Sequence, residues 1–374
     1  MALIPYFARI QFDFGARRLL AEELAALGVR RPLVVTDRGV VSAGVLQRAL
    51  ESIASLAPPV FSDVAPDPHL AVAEAAASLY ARERCDCIIA VGGGAAIDTA
   101  KAVALVVSHE GPLEQYRTDA GGAARIGPQI APLVAIATTA GTGSDIGRGL
   151  GISRVPGNPK MVLASVHLIP KVAICDPELT LGLPAQVTAG TGIDAFSHAF
   201  EAFLSPAVNP PVDAIALDAM ARLWSHLPAA VSRGADRAAR WEVMMGATES
   251  GMCFWKGLGP AHALSIPLDT LGLHHGTLVG VLLPATVRFL GDAVPDKLVR
   301  LRAALGLGRD ADLGTELSAF NRRIGLPGGL REMGVKAADL PGAAAAASAG
   351  FFNQSSARRG TAGDYLALAQ DAFG

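Results

Sequence analysis

The chain has little of what marks several protein classes. Cysteine occurs four times in 374 residues, too sparse for a disulfide framework. Cys85-Asp86-Cys87 lacks the two-residue spacer of a zinc knuckle and runs into the apolar stretch 88–91, so these thiols read as buried on a strand. Neither sign of charge dominates: 32 Lys and Arg face 34 Asp and Glu, for a formal net charge of −2, and no basic field points to a nucleic-acid partner. No uncharged apolar run reaches the roughly 18 residues of a membrane span. The opening MALIPYFARIQF has no basic flank leading into an apolar core and no small-residue cleavage site, so no secretory leader and no membrane partner are expected, and the expected compartment is the cytoplasm. What remains is apolar mass, 51 % of the residues, enough for a sizeable core, and the length suggests two domains.

The first half alternates short β-branched runs with helical stretches. Leu33 to Thr36, Cys87 to Val91, Leu133 to Ala137 and Val172 to Cys175 read as buried strands, and Leu70 to Arg84 and Asp98 to Ser108 as helices. Gly92-Gly93-Gly94 follows one strand and Ala140-Gly141-Thr142-Gly143-Ser144 another. Strand, glycine turn and helix in repetition predict a parallel α/β sheet. Beyond about residue 183 helix-length stretches dominate, among them Gly192 to Leu204, Asp213 to His226, Arg240 to Cys253, Gly276 to Phe289 and Pro295 to Leu305. The expected organisation is an α/β domain over 1–183, with a Rossmann-like parallel sheet that binds a dinucleotide, and an all-α domain over 184–374 that holds metal and substrate. Ala343 to Ala347 reads as a low-complexity patch near the surface.

The segment around residue 194 is the most informative. Asp194 and His198 are four apart, which on a helix puts both side chains on one face, one turn apart. Alone, the pair could be an ordinary surface contact. However, His262, His274 and His275, three of the eight histidines, fall within fourteen positions among small and apolar residues. One carboxylate with several imidazoles makes a mixed N/O site suited to Fe(II), Zn(II) or another first-row ion.

Several motifs in order then carry a resemblance: Gly92-Gly93-Gly94 with Asp98 and Lys101; Thr138-Thr139-Ala140-Gly141-Thr142-Gly143-Ser144; Asp176-Pro177-Glu178-Leu179-Thr180; Thr191-Gly192-Ile193-Asp194-Ala195 with His198, Glu201 and Ala202; Leu258-Gly259 with His262; and His275-Gly276. The chain resembles the iron-containing (group III) alcohol dehydrogenase family, which shares the dehydroquinate synthase-like fold, from Val35 to about Leu290. The resemblance implies Asp194, His198, His262 and His275 as metal ligands, with His274 competing for the fourth place. It implies Gly93, Gly94, Ala95, Asp98, Thr138, Thr139, Thr142 and Lys160 as dinucleotide contacts, and a homodimer or larger homo-oligomer.

The glycine triplet fits phosphate binding physically, since glycines admit backbone N–H groups to a pyrophosphate at a helix start. Asp37 ends the Leu33 to Thr36 strand, where a carboxylate accepts from ribose hydroxyls and repels a 2′-phosphate. NAD is therefore expected over NADP, although Asp37 before Arg38-Gly39 could equally be a turn residue. The resemblance implies metal-assisted hydride transfer between the nicotinamide and a small alcohol or aldehyde.

The sequence departs from the family at Ile266, which stands where many members carry a second histidine; His274 is the candidate replacement as proton relay. Asp145 and Gly147 stand in place of a usual Glu and Thr. Arg148, Phe254 and Lys256, with Arg154, are candidate substrate contacts, and their cations would favour an anionic tail such as a carboxylate, sulfonate or phosphonate. A maleylacetate reductase is the nearest rival, which the intact ligand set disfavours. A dehydroquinate synthase-like lyase and a non-catalytic zinc-binding protein are remoter still.

Overall fold

The computed structural model describes residues 8–374. Residues 1–7, which hold much of the stretch read above as lacking a leader, lie outside the described residues. The chain forms two compact units, one of residues 8–139 and 143–182, the other of 140–142 and 183–374.

In the first unit the strands are β1 (Arg9–Phe12), β2 (Pro32–Val35), β3 (Val60–Phe61), β4 (Cys87–Gly92), β5 (Leu133–Ala137), β6 (Gly149–Ile152), β7 (Met161–Ala164) and β8 (Val172–Cys175). Its helices are α1 (Leu20–Ala26), α2 (Arg38–Ser42), α3 (Val45–Ala49), α4 (Leu70–Arg82) and α5 (Gly94–Val106). Six strands make one sheet in the order β1-β8-β5-β4-β2-β3, and every pairing is parallel. Every residue of β2, β4, β5 and β8 is buried. This explains why these strands appear in the sequence as continuous apolar runs rather than alternating ones: helices cover both faces. Along β4, Ile88 and Ala90 pack with α4 and α5, while Cys87, Ile89 and Val91 pack on the other face with α1 and α3. All four cysteines are buried and none is in a disulfide. Burial pushes the Cys87 thiol up to about 12, which makes it inert.

The strands β1, β3, β6 and β7 were not foreseen. β6 and β7 form a separate antiparallel pair, and α5 holds it. The buried Lys101 ammonium donates to the Gly147 and Gly149 carbonyls, both at 2.7 Å, and Asp98 accepts from the Gly151 amide at 2.9 Å. Asp98 and Lys101, three apart, thus present one helix face to the hairpin. Burial drives the Lys101 ammonium down to about 8.

Among the described residues the second unit has helices and no strands. They are α6 (Ala185–Leu204), α7 (Pro210–Ser232), α8 (Arg237–Met252), α9 (Pro260–Asp269), α10 (His275–Leu290), α11 (Pro295–Ala304), α12 (Leu313–Arg323), α13 (Leu340–Ala349), α14 (Phe351–Ser355) and α15 (Ala362–Asp371). α6 is buried almost all round from residue 188 onward, which makes it the central helix of the unit. α10 with the turn after it, His275–Ala293, is long and apolar enough on composition to span a bilayer, but 67 % of its most apolar window is buried inside the protein, as in a core helix. The alanine run at 343–347 lies on the helix α13, with Ala345 and Ala346 exposed and Ala343, Ala344 and Ala347 buried, since a helix of small residues can approach its neighbours closely.

Ile89 is fully buried at the centre of β4. Ile89→Ala should lower stability by about 2–5 kcal/mol through lost transfer energy and a cavity, read as a shift in urea midpoint.

Candidate metal centre

α6 delivers three chemically active side chains along one stripe. Asp194, His198 and Glu201 stand at intervals of four and three, so they share a face. His262 sits in the first turn of α9 and His275 opens α10. The Nε2 atoms of His198, His262 and His275 lie 3.7, 3.8 and 3.8 Å from the same Asp194 oxygen, Oδ1. These separations are too long for hydrogen bonds and are the size of the edges around one small cation. The three rings turn toward one another, with His198 and His262 stacked at 4.6 Å and His262 and His275 tilted at 5.5 Å.

The electrostatics favour a cation. Asp194 Oδ1 and His262 Nε2 are buried and accept or donate no hydrogen bond. Orphaned buried polar atoms are rare and expensive, and both face the same point. Burial alone would raise the Asp194 carboxyl. The His198, His275 and His262 imidazoles and the Thr142 hydroxyl outweigh it and hold the group at about 2. Burial pushes the His198 imidazole down to about 3, so it presents a neutral nitrogen. A carboxylate oxygen with three imidazole nitrogens fits a divalent first-row ion.

Two glycines set the distance between α6 and α10. A Cβ on Gly276 would fall 2.1 Å from the Gly190 carbonyl oxygen and 2.9 Å from Asp194 Cβ. A Cβ on Gly190 would meet the His274 ring at 2.5 Å. The helices therefore touch backbone to backbone where Asp194 and His275 face each other.

His275 rather than His274 turns toward Asp194. His274 is exposed and caps α10, its Nδ1 accepting from the Thr277 amide. Thr142, expected as a dinucleotide contact, donates its hydroxyl to Asp194 Oδ2 at 2.9 Å. Phe254 packs edge-on against His198 at 4.6 Å, and Phe352 against His262 at 6.0 Å. Phe352 lies in the C-terminal region, where the sequence carries no periodic signal for it. Lys256 is corrected. Its side chain is 1 % exposed and its ammonium is ion-paired with Asp213, so it cannot also meet a substrate anion. Arg154 is exposed and paired with Glu114 at 3.2 Å. Arg148 is half-buried in the first unit, and burial lowers its pKa.

The cofactor candidates gather in the first unit. Asp37, Gly93 to Ala95, and Thr138 with Thr139 follow β2, β4 and β5, which are neighbours in the sheet. They therefore stand side by side at its carboxyl edge, the ligand-binding edge of parallel sheets. Gly93 caps α5, and a Cβ there would lie 3.0 Å from Thr139 Oγ1. Gly92 has φ +158 and a Cβ would strike Ala96 at 2.6 Å, so only glycine fits. Asp37 caps α2 with one oxygen, accepting from the Val40 amide at 2.9 Å, so the turn role foreseen for it is real. Lys160 and Asp98 flank Gly151, where a Cβ would meet both.

The family model for iron-containing alcohol dehydrogenase matches residues 8–177, and that for the Fe-containing alcohol dehydrogenase family C-terminal region matches 188–373. The chain is 45 % identical over 383 residues to a 4-hydroxybutyrate dehydrogenase of Cupriavidus necator, covering 100 % of both chains. Among solved structures, a 1,3-propanediol oxidoreductase superposes with TM-score 0.91 at 30 % identity, covering 99 % of this chain and 100 % of that one. A sulfoacetaldehyde reductase from Bifidobacterium kashiwanohense, solved in complex with NAD+, superposes with TM-score 0.91 at 25 % identity, covering 100 % and 98 %.

Gly276→Ala should force α10 off α6, weaken metal binding at least ~10-fold, as expected for a displaced ligand shell, and lower the melting temperature. Gly291→Ala, whose Cβ would meet only Leu298 at 4.0 Å, should do neither. Chelator-competition titrations of both variants check this.

Proposed function

The chain belongs to the iron-containing alcohol dehydrogenase family, metal- and nicotinamide-dependent oxidoreductases, and from that premise we propose that it interconverts a small hydroxy acid and its semialdehyde, drawing on NAD. The observation that carries the reading is the convergence of three imidazole nitrogens on one buried carboxylate oxygen. Asp194, His198, His262 and His275 would hold Fe(II) or Zn(II). The bound ion supplies Lewis acidity toward the alcohol or carbonyl oxygen, and the nicotinamide gives or takes hydride.

The chain's own residues bind, orient and shield. Gly93 and Gly94 admit a pyrophosphate to the start of α5, where backbone N–H groups and the helix dipole favour an anion. Asp37 keeps a second carboxylate oxygen for ribose hydroxyls, and that charge opposes a 2′-phosphate. Arg38, which could offset this repulsion, is paired with Asp63 at 2.7 Å. Phe254 and Phe352 set apolar edges against His198 and His262, which keeps water from two sides of the ligand cluster. With Ile266 unable to carry a proton, His274 on the cap of α10 is the proposed relay. The substrate class is supported by the 4-hydroxybutyrate named for the relative with 45 % identity and by the sulfonate of the neighbour named for sulfoacetaldehyde. Both are short chains with an oxygen to oxidise or reduce at one end and an anion at the other.

The test is kcat/KM for 4-hydroxybutyrate against 1-butanol, with NAD and with NADP, using metal-stripped and reconstituted enzyme. A charge-assisted contact to the tail is worth about 1.5–3 kcal/mol, so the hydroxy acid should win by roughly 10–100-fold. Equal efficiency removes the anionic tail from the proposal, and undiminished turnover after metal stripping removes the metal.

A further inference from the structure

Two carboxylates outside the ligand set stand directly behind two of the ligand imidazoles. Glu201 is 2 % exposed, and its Oε2 lies 2.6 Å from His262 Nδ1. Its two oxygens also accept from the Gly259 amide at 2.9 Å and the Ala261 amide at 2.7 Å. Asp269 Oδ2 lies 2.8 Å from His275 Nδ1. Among the described residues no carboxylate hydrogen-bonds His198 Nδ1.

We propose that Glu201 and Asp269 are positioning residues for the metal: they fix the tautomer and rotation of His262 and His275. The proposal rests on the four-ligand reading given above. The known partners of Glu201 at Gly259 and Ala261 are N–H donors, so the carboxylate is an acceptor, and His262 carries its proton on Nδ1. The Nε2 lone pair is then left facing Asp194 Oδ1. At Asp269 the carboxylate oxygen 2.8 Å from His275 Nδ1 can take the ring proton as an acceptor, which leaves the Nε2 lone pair of His275 facing Asp194 Oδ1. A carboxylate behind an imidazole also raises its basicity as a ligand.

The placement explains how separated ligands reach one register. Glu201 lies three residues after His198 on the same stripe of α6, and it grips the first turn of α9 through two amides. The helix that supplies Asp194 and His198 therefore also fixes where His262 begins. Asp269 closes α9 and reaches across the 270–274 turn to His275, the first residue of α10. Each end of α9 is tied to the site by a carboxylate.

The test is a chelator-competition titration of metal-free protein with Zn(II), for wild type, Asp269→Ala, Asp269→Asn and Glu201→Gln, beside thermal melts of the metal-free forms. Asp269→Ala should weaken Zn(II) binding about 10–100-fold while the metal-free melting temperature stays at the wild-type value. Asp269→Asn should lose less, because the amide oxygen can still accept from His275. Glu201→Gln should lose more than Asp269→Asn, because whichever way its amide turns, the NH2 meets an N–H donor now held by a carboxylate oxygen, at Ala261 or at Gly259 and His262. Zn(II) affinity of Asp269→Ala within twofold of wild type would overturn the proposal. So would a loss matched by an equal fall in metal-free stability, which marks a purely structural role. Failure of the wild type to bind Zn(II) would instead overturn the four-ligand reading beneath it.

Discussion

Everything in the second unit is arranged around one buried carboxylate. Asp194 is 3 % exposed, and an isolated charge at such a depth is strongly unfavourable unless it is paired. Its Oδ2 takes a hydrogen bond from Thr142, but Oδ1 faces three imidazole nitrogens across gaps too wide for hydrogen bonding. The imidazoles cannot supply the missing charge by protonating together, since three adjacent cations repel one another, and burial already drives His198 to about 3. A divalent cation resolves all four groups at once. The local cost of assembling them without an ion is the reason the surrounding helices must hold them firmly.

That rigidity comes from backbone contact rather than from side-chain bulk. Gly190 and Gly276 allow α6 and α10 to meet without side chains between them, and the helix crossing places Asp194 and His275 face to face. In the first unit glycine works differently. Gly92 and Gly93 clear the end of β4 for a turn whose neighbours in the sheet end in Asp37 and in Thr138. Asp37, the Gly93–Ala95 turn and Thr138 with Thr139 thus follow three side-by-side strand ends, the edge at which parallel sheets bind ligands.

Much of this was legible in the sequence because it rests on local rules. Asp194 and His198 share a face because of helix periodicity alone, and the buried strands appear as uninterrupted β-branched runs. What was not legible depends on tertiary direction. The choice between His274 and His275 turns on which ring caps α10, and adjacent residues carry no sequence signal for that. Glu201 was visible as a residue seven after Asp194, but its role required the position of α9. Lys256 looked like a surface cation beside the site, because nothing local shows that Asp213, forty-three residues upstream, meets it in the interior. The β6–β7 hairpin was missed because its strands are four residues each and follow a glycine loop, so neither period has room to develop.

The buried lysine has a structural consequence that follows from its displacement from the site. α6 ends at Leu204, and the carbonyls near that end have no helical partners. Lys256 and Lys297 both donate to the Phe203 carbonyl, Lys297 also donates to Ser205, and Asp213 balances the pair. Burial, with Lys256 as a second cause, lowers the Lys297 ammonium to about 8. Cations at a helix C-terminus complement its dipole, and here they also fasten the Cys253–Lys256 turn that carries Phe254 to His198. At the other end Arg240 donates to the Thr188 hydroxyl and the Leu183 carbonyl. The helix that bears Asp194 and His198 is therefore clamped at both ends by buried cations. A site that needs its ligands placed to within about half an ångström gains more from such a clamp than from another charge near the substrate.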